Sequence, residues 1–404
     1  MFIRCAHHSG DLLGGAGEDN RDRFSGLRPC AAVPLVGGQA IWIGDDVDVG
    51  ERRPARCKDG IFRCHGSTVA ESGSPPICDD AAVPEIPVID VSDMGTSAAA
   101  DADIERALLE AYGFWGFAYV NGHPIAPGLI DRVFAVSRAF HALPLAQKLD
   151  IELDENHRGF IPMRVSTDVT SSVEAATKPN VSESFMMMRE SAADSREVMR
   201  GDYLAGPNQW PAGLPGFRET LEEYNTAMVH FAHSMIERFA SALGARGILE
   251  SAFDPPTTWL RLLHYPPQDP QAPADEYGSA PHRDFGAITL LAQDEVGGLS
   301  VRTPQGEWTD VPPRPYTYVM NVGDMLHRWS NGRLLSTPHR VANRTGRERF
   351  SIPFFYDPSV RATIAPLPSC VSPERPPAFA PEVFGDFLHH ELEASYQHHQ
   401  SPNS

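Results

Sequence analysis

From Trp259 to Tyr356 the chain is a series of short apolar and aromatic stretches, each ended by Gly, Pro, Asp or Asn. The stretches Trp259–Tyr265, Ala287–Gln293, Gly298–Thr303, Tyr316–Asn321, Met325–Trp329, Val341–Asn343 and Phe350–Tyr356 read as strands. Short strands separated by turn residues build two packed antiparallel sheets, so a jelly roll is the expected core. The upstream part has a different period. Asp101–Tyr112 places Ile104, Ala107, Leu108 and Ala111 at helical spacing, and Pro127–Ala142 does the same with Leu129, Ile130, Val133, Phe134, Val136 and Phe140. Pro215–Leu243 predicts a long buttressing helix with Phe217, Leu221, Tyr224, Met228, Phe231, Met235 and Phe239 on one stripe. Short strands are expected at Ile86–Val91 and Phe117–Val120, and a closing helix at Glu382–Tyr396. The fold class is therefore α+β: a double-stranded β-helix (jelly-roll) core with a helical N-terminal lead-in and buttressing helices.

Within that core, His282 and Asp284 stand as His-x-Asp, and His339 follows in Ser-Thr-Pro-His. If His282 and Asp284 lie on one strand, they project to the same face. A histidine from another strand then completes two imidazoles and one carboxylate, the donor set of a non-haem Fe(II) site with open positions. Alone, His-x-Asp is equally two polar residues at a strand end. Ten residues after His339 comes Arg349-Phe350-Ser351. Arg349 and Ser351 also share a face if this is a strand. A guanidinium forks onto a carboxylate and a hydroxyl adds one donor, which suits a diacid that chelates the metal at its other end. The plainer alternative for Arg349 is a surface ion pair with Glu348. The aromatic run Phe350, Phe354 and Phe355 around it argues for burial.

With those motifs in order, the chain resembles the isopenicillin N synthase-like branch of the Fe(II)/2-oxoglutarate-dependent oxygenases. Further matching stretches are Leu262–Pro267, Asp294–Leu299 and Asn321–Asp324 in the core. Upstream they are Ile86–Asp90, Gly113–Phe117, Phe140–Pro144 with Lys148, Arg158–Phe160 and Gly206–Pro211. The resemblance covers about 84 to 395 and implies boundaries: an N-terminal non-haem dioxygenase domain over 84–210, a buttressing helix and connection over 211–254, the jelly-roll core over 255–360, and a C-terminal helix and tail over 361–404. It implies Fe(II) on His282, Asp284 and His339, and 2-oxoglutarate held by Arg349, Ser351 and Tyr265. O2 is the oxidant, and ascorbate is an optional reductant. The implied reaction couples oxidative decarboxylation of 2-oxoglutarate to succinate with hydroxylation or desaturation of a small molecule. Leu263 departs from the asparagine that family members often carry two residues before the tyrosine. Locally, Arg261–Gln268 and Leu335–His339 resemble 2-oxoglutarate-dependent ethylene/succinate-forming enzymes, which implies a second arginine, Arg261, facing 2-oxoglutarate. The fold also admits an oxidase that uses no 2-oxoglutarate, and a non-catalytic metal-binding sensor, for which an intact triad plus clamp would be superfluous.

Composition sets outer limits. The formal net charge of −19 argues against nucleic-acid or anionic-membrane partners, and no apolar run approaches the roughly 20 residues of a membrane span. With a sequence pI of about 5.2, a cytoplasmic enzyme acting on a small molecule is expected. The oligomeric state is not legible. Residues 1–83 hold Cys5, Cys30, Cys57, Cys64 and Cys78 without core periodicity. Their spacing does not match structural zinc modules, and a disordered extension is expected, or a stretch upstream of the true start. Residues 155–190 read as loop-rich, with Met186-Met187-Met188 as core filling. Arg164, Glu174, Lys178 and Arg189 are polar candidates there for substrate contact. His389, His390, His398 and His399 read as solvent-facing.

Overall fold

The computed structural model describes residues 85–166, 173 and 178–397. The expectations for 1–83, Glu174, His398 and His399 fall outside the described residues. In chain order the first half contains β1 (Val88–Asp90), α1 (Ala98–Phe114), β2 (Phe117–Asn121), α2 (Pro127–His141), α3 (Leu145–Leu149), β3 (Gly159–Ile161), β4 (Glu183–Met188), α4 (Arg196–Arg200) and α5 (Phe217–Ala242). The second half contains β5 (Thr257–Tyr265), β6 (Ser279–His282), β7 (Ile288–Gln293), β8 (Leu299–Arg302), β9 (Trp308–Asp310), β10 (Tyr318–Val322), α6 (Asp324–Trp329), β11 (His339–Val341), β12 (Arg349–Asp357), two short paired strands β13 (Thr363–Ile364) and β14 (Glu382–Val383), and α7 (Phe384–Gln397).

Eight strands form the large sheet, in the order β1-β2-β10-β7-β12-β5-β4-β3, and four form the small one, β6-β11-β8-β9. Together they make the jelly roll. Alternation along the large sheet then creates two cores. On β12, Phe350, Ile352, Phe354 and Tyr356 join one apolar cluster with the stripe of α5, from Phe217 to Phe239. On β5, Leu260 and Leu262 do the same, whereas Leu263 and Tyr265 turn to the other face and pack with Phe117, Leu299, Val301 and Val341 between the sheets. The helices thus buttress the outside of the large sheet, and its inner face is left for the site. All seven residues of the expected α5 stripe are buried.

Two expectations are corrected. Met325–Trp329 is not a strand but part of α6, with Met325, Leu326 and Trp329 buried at helical spacing. The turn that starts it is fixed from outside, because the backbone nitrogens of Asp324 and Met325 donate to the carbonyls of Asp284 and Gly286 at 2.8 and 2.9 Å. The loop-rich reading of 155–190 also misses β3 and β4. The six residues of β4 are all buried, including the three methionines, since this strand is covered on both faces and shows no alternation. No helix among the described residues is long and apolar enough to cross a membrane.

A charged cluster is packed into the outer core. Lys148 Nζ lies 2.9 and 2.8 Å from the two carboxylate oxygens of Glu183, and His264 Nδ1 lies 2.9 Å from Glu183 Oε1. Burial opposes the Glu183 charge, but the His264 and Lys148 hydrogen bonds outweigh it and hold the carboxyl down at about 2. Burial, with the charge of His264 adding to it, pushes the His141 imidazole down to about 3. Both groups lose native stability on acidification. His141 acts from pH 6.5 downward, where only the unfolded chain takes up its proton, and Glu183 from 4.5 toward 2. Asp357 acts oppositely: burial pushes its carboxyl up to about 7, so the native state gains a proton, and stability, between pH 7 and 3.8. The expected thermal midpoint is therefore nearly level from neutral pH to about 4.5 and falls steeply below it. A midpoint that rises steadily from pH 4.5 to 3 would remove the Lys148–Glu183 pair from this account.

Candidate metal centre and anion clamp

His282 is the last residue of β6 and His339 the first of β11, and the two are direct partners across the antiparallel pair. Their ring centroids are 4.3 Å apart. Asp284 lies just beyond β6, in the loop to β7, so it is the loop rather than strand alternation that brings its carboxylate back to the histidines. Nε2 of His282 and of His339 lie 3.6 and 3.5 Å from Asp284 Oδ1. The donor atoms of all three residues fall within 4.8 Å of one another.

The surroundings orient those atoms. His282 Nδ1 is 2.7 Å from the Ala280 carbonyl oxygen, and His339 Nδ1 is 3.3 Å from that of Thr337. A carbonyl only accepts, so each Nδ1 carries its hydrogen, and in a neutral imidazole Nε2 presents its lone pair toward Asp284. Asp284 Oδ2 is taken by Thr289 Oγ1 at 2.5 Å and Asn321 Nδ2 at 2.7 Å, which leaves Oδ1 facing the histidines. Burial opposes the Asp284 charge, but the positive charge that His339 and His282 carry when protonated, with the Asn321 amide, outweighs it and holds the carboxyl well below the usual carboxylate range. Three lone-pair donors converging on one point suit a cation, and two imidazoles with one carboxylate suit a divalent transition metal.

The ligand loop is locked from beneath. Gly323 N donates to the Ala287 carbonyl at 2.9 Å. A Cβ on Gly323 would collide with the carbonyl oxygens of Asp284 and Gly286, and one on Gly286 with the Asp357 carboxyl. Asp357 Oδ1 in turn accepts from Ala287 N at 2.7 Å.

Arg349 stands directly opposite Tyr265 in the β5–β12 ladder, and its guanidinium carbon lies 4.6 Å from the Tyr265 ring centroid. It is 0% exposed, so the surface ion pair is excluded; Glu348 faces His264 Nε2 instead, at 3.7 Å. Its Nη1 donates to Ser351 Oγ and its Nη2 to Gln293 Oε1, both at 3.1 Å, and Nε is buried without a partner. Among the described residues no carboxylate pairs with it. A fully buried cation offset only at longer range, by the Asp294 carboxylate, is costly, and an anion entering the cavity would supply a direct partner.

One cavity of about 80 Å3 is lined by all seven residues singled out in the sequence: His282, Asp284, His339, Arg349, Ser351, Tyr265 and Arg261. The loop candidates are placed elsewhere. Arg164 pairs with Glu276 at 3.7 Å, Lys178 with Asp275 at 2.7 Å, and Arg189 with Glu197 at 2.6 Å. His389 and His390 are exposed on α7, as expected. Sequence reasoning missed Thr289, Asn321, Gln293 and Asp357. Their one visible signal is polarity at inward positions of otherwise apolar strands.

Residues 256–358 match the family model of the 2OG-Fe(II) oxygenase superfamily, and residues 86–213 match that of the non-haem dioxygenase in morphine synthesis N-terminal domain. The chain is 37% identical to the 2-oxoglutarate-Fe(II) type oxidoreductase hxnY of Emericella nidulans, over 77% of this chain and 90% of that protein. It is 35% identical to the 2-oxoglutarate-dependent dioxygenase citB of Monascus ruber, over 70% and 87%. Among solved structures it is similar to full-length Neurospora crassa T7H in complex with alpha-KG and thymine, with a TM-score of 0.68 and 28% identity over 77% of this chain and 97% of that one.

Proposed function

This chain belongs to the 2OG-Fe(II) oxygenase superfamily, and from that premise we propose how its own residues divide the work. It is an Fe(II)- and 2-oxoglutarate-dependent oxidoreductase that couples oxidative decarboxylation of 2-oxoglutarate to C–H oxidation of a small molecule. Hydroxylation is the default outcome, and desaturation needs only a different substrate pose. His282, Asp284 and His339 would hold the iron, with Thr289 and Asn321 fixing the orientation of the carboxylate. When bound, the iron and its cosubstrate supply the oxidising power, and the protein supplies position and exclusion of water. Arg349 and Ser351 hold the far carboxylate of 2-oxoglutarate, and Tyr265 flanks the guanidinium. Arg261 lies on the same wall, where a second contact to 2-oxoglutarate is one of its two available roles. A reducing, cytoplasmic setting suits both ferrous iron and the buried free thiol of Cys370. The proposed boundaries remain 84–210 for the lead-in domain and 255–360 for the catalytic core.

The observation that carries the clamp is the buried guanidinium of Arg349, which has no carboxylate in ion-pair contact among the described residues and an unpartnered Nε, in the cavity that the triad lines. Arg349→Lys is expected to raise the concentration of 2-oxoglutarate needed for half-maximal turnover by roughly 10- to 150-fold, since an ammonium cannot fork onto a carboxylate. An unchanged requirement, or full activity without 2-oxoglutarate, would favour an oxidase that does not use it.

A further inference from the structure

Two arginines line the cavity, and the dianionic cosubstrate has a carboxylate for only one of them. A divalent metal would be offset by Asp284 and by the carboxylate that chelates it. Arg349 would be offset by the far carboxylate. Arg261 is then left as an uncompensated positive charge.

Its place on the sheet separates it from Arg349. It lies between the register pairs Ser351–Leu263 and Phe354–Leu260, whereas Arg349 pairs with Tyr265. Four residues of strand put the two positions roughly 13 Å apart along the sheet, on the same inner face. Arg261 Nε donates to Ser184 Oγ at 2.8 Å. Among the described residues neither of its Nη nitrogens has a hydrogen-bond partner, and it forms no ion pair. A half-buried cation with two donors unused is poised for a carboxylate, which a guanidinium binds through two parallel charge-assisted bonds. The cavity wall it shares carries Phe117, Leu263, Leu291, Leu299, Val341 and Phe355, with Ser279, Thr289 and Asn321 as its uncharged polar members outside the clamp.

We infer that Arg261 is a specificity-determining residue that anchors a carboxylate of the primary substrate, so that the enzyme acts on small, largely apolar monocarboxylic acids. The inference rests on the clamp role proposed above for Arg349.

Binding to the full chain, loaded with Mn(II) in place of iron and saturated with 2-oxoglutarate, tests it without turnover. Calorimetric titration with hexanoic, benzoic and phenylacetic acids, each against its primary amide, should show the best acid binding about tenfold or more tighter than its amide. In Arg261→Gln that ratio should fall to about one, and it should change more than the affinity for 2-oxoglutarate does. Equal binding of acid and amide by the wild type, no binding of any acid, or an acid preference that survives in Arg261→Gln overturns the inference. So does a variant whose main loss is in 2-oxoglutarate affinity, which would assign Arg261 to the cosubstrate. Consumption of 2-oxoglutarate by the Fe(II)-loaded wild type is measured in parallel. Its absence would overturn the proposed function, whereas consumption stimulated equally by acids and amides would overturn only the role of Arg261.

Discussion

Asp284→Ala is expected to abolish Fe(II)-dependent consumption of 2-oxoglutarate and to leave a folded protein that no longer retains stoichiometric iron. The carboxylate is the single anionic donor of the triad, and its removal takes away both affinity and geometry. It also strands Thr289 Oγ1 and Asn321 Nδ2, which now spend their hydrogen bonds on Oδ2. Leaving such groups unpaired costs about 1–3 kcal/mol each, so some stability is lost as well, although both cores that hold the sheets remain. His282→Ala and His339→Ala should lose turnover to the same degree, because the two imidazoles face each other across one strand pair and neither can take the other's place. Metal content after anaerobic loading, turnover and a thermal melt check the three variants together. Near-normal turnover in any one of them would mean that its residue is not a ligand.

The second large effect lies away from the chemistry. Lys148→Met should destabilise the protein by about 3–5 kcal/mol, the range for removing one partner of a buried ion pair. The Lys148 and Glu183 side chains are only 7% and 9% exposed, so the carboxylate, left with His264 Nδ1 as its remaining partner, has little water to turn to. The double variant Lys148→Met/Glu183→Leu should recover part of the loss, since replacing both charges removes the uncompensated one; His264 loses its partner in the exchange. Urea denaturation of the wild type, the single variant and the double variant measures this. A single variant within about 1 kcal/mol of wild type would show that the pair contributes no more than an exposed ion pair does.

The legible part of this protein is where local order coincides with function. His-x-Asp, the later His339 and Arg349-x-Ser351 could be read because they are chemically distinctive and follow one another in order, and the structure brings them to one cavity, although Asp284 gets there by the loop after β6 and not by strand alternation. The stripe of α5 could be read because it spans many turns. What could not be read depends on pairings between distant segments. Thr289 and Asn321 reach Asp284 only because β7 and β10 are neighbours in the large sheet. Lys148 meets Glu183 only because the fold brings α3 to β4 across 35 residues of sequence, and the methionine run conceals that strand since both of its faces are covered. The helix α6 escaped because six residues are too few to establish a period, and its start is set by hydrogen bonds to the metal-ligand loop rather than by its own cap.

Parity along β5 and β12 has a practical consequence for anyone who wishes to redirect this enzyme. Odd-numbered positions such as 261, 263 and 355 look into the reaction chamber, whereas even-numbered ones such as 260, 262, 352 and 354 are bolted to the helical scaffold. A mutant library at the half-buried positions 261 and 355 samples new substrates at modest risk to folding, whereas Leu263 also belongs to the core between the sheets. A library drawn from the even set spends most of its members on broken packing, although every position in both sets lies within a residue or two of the other.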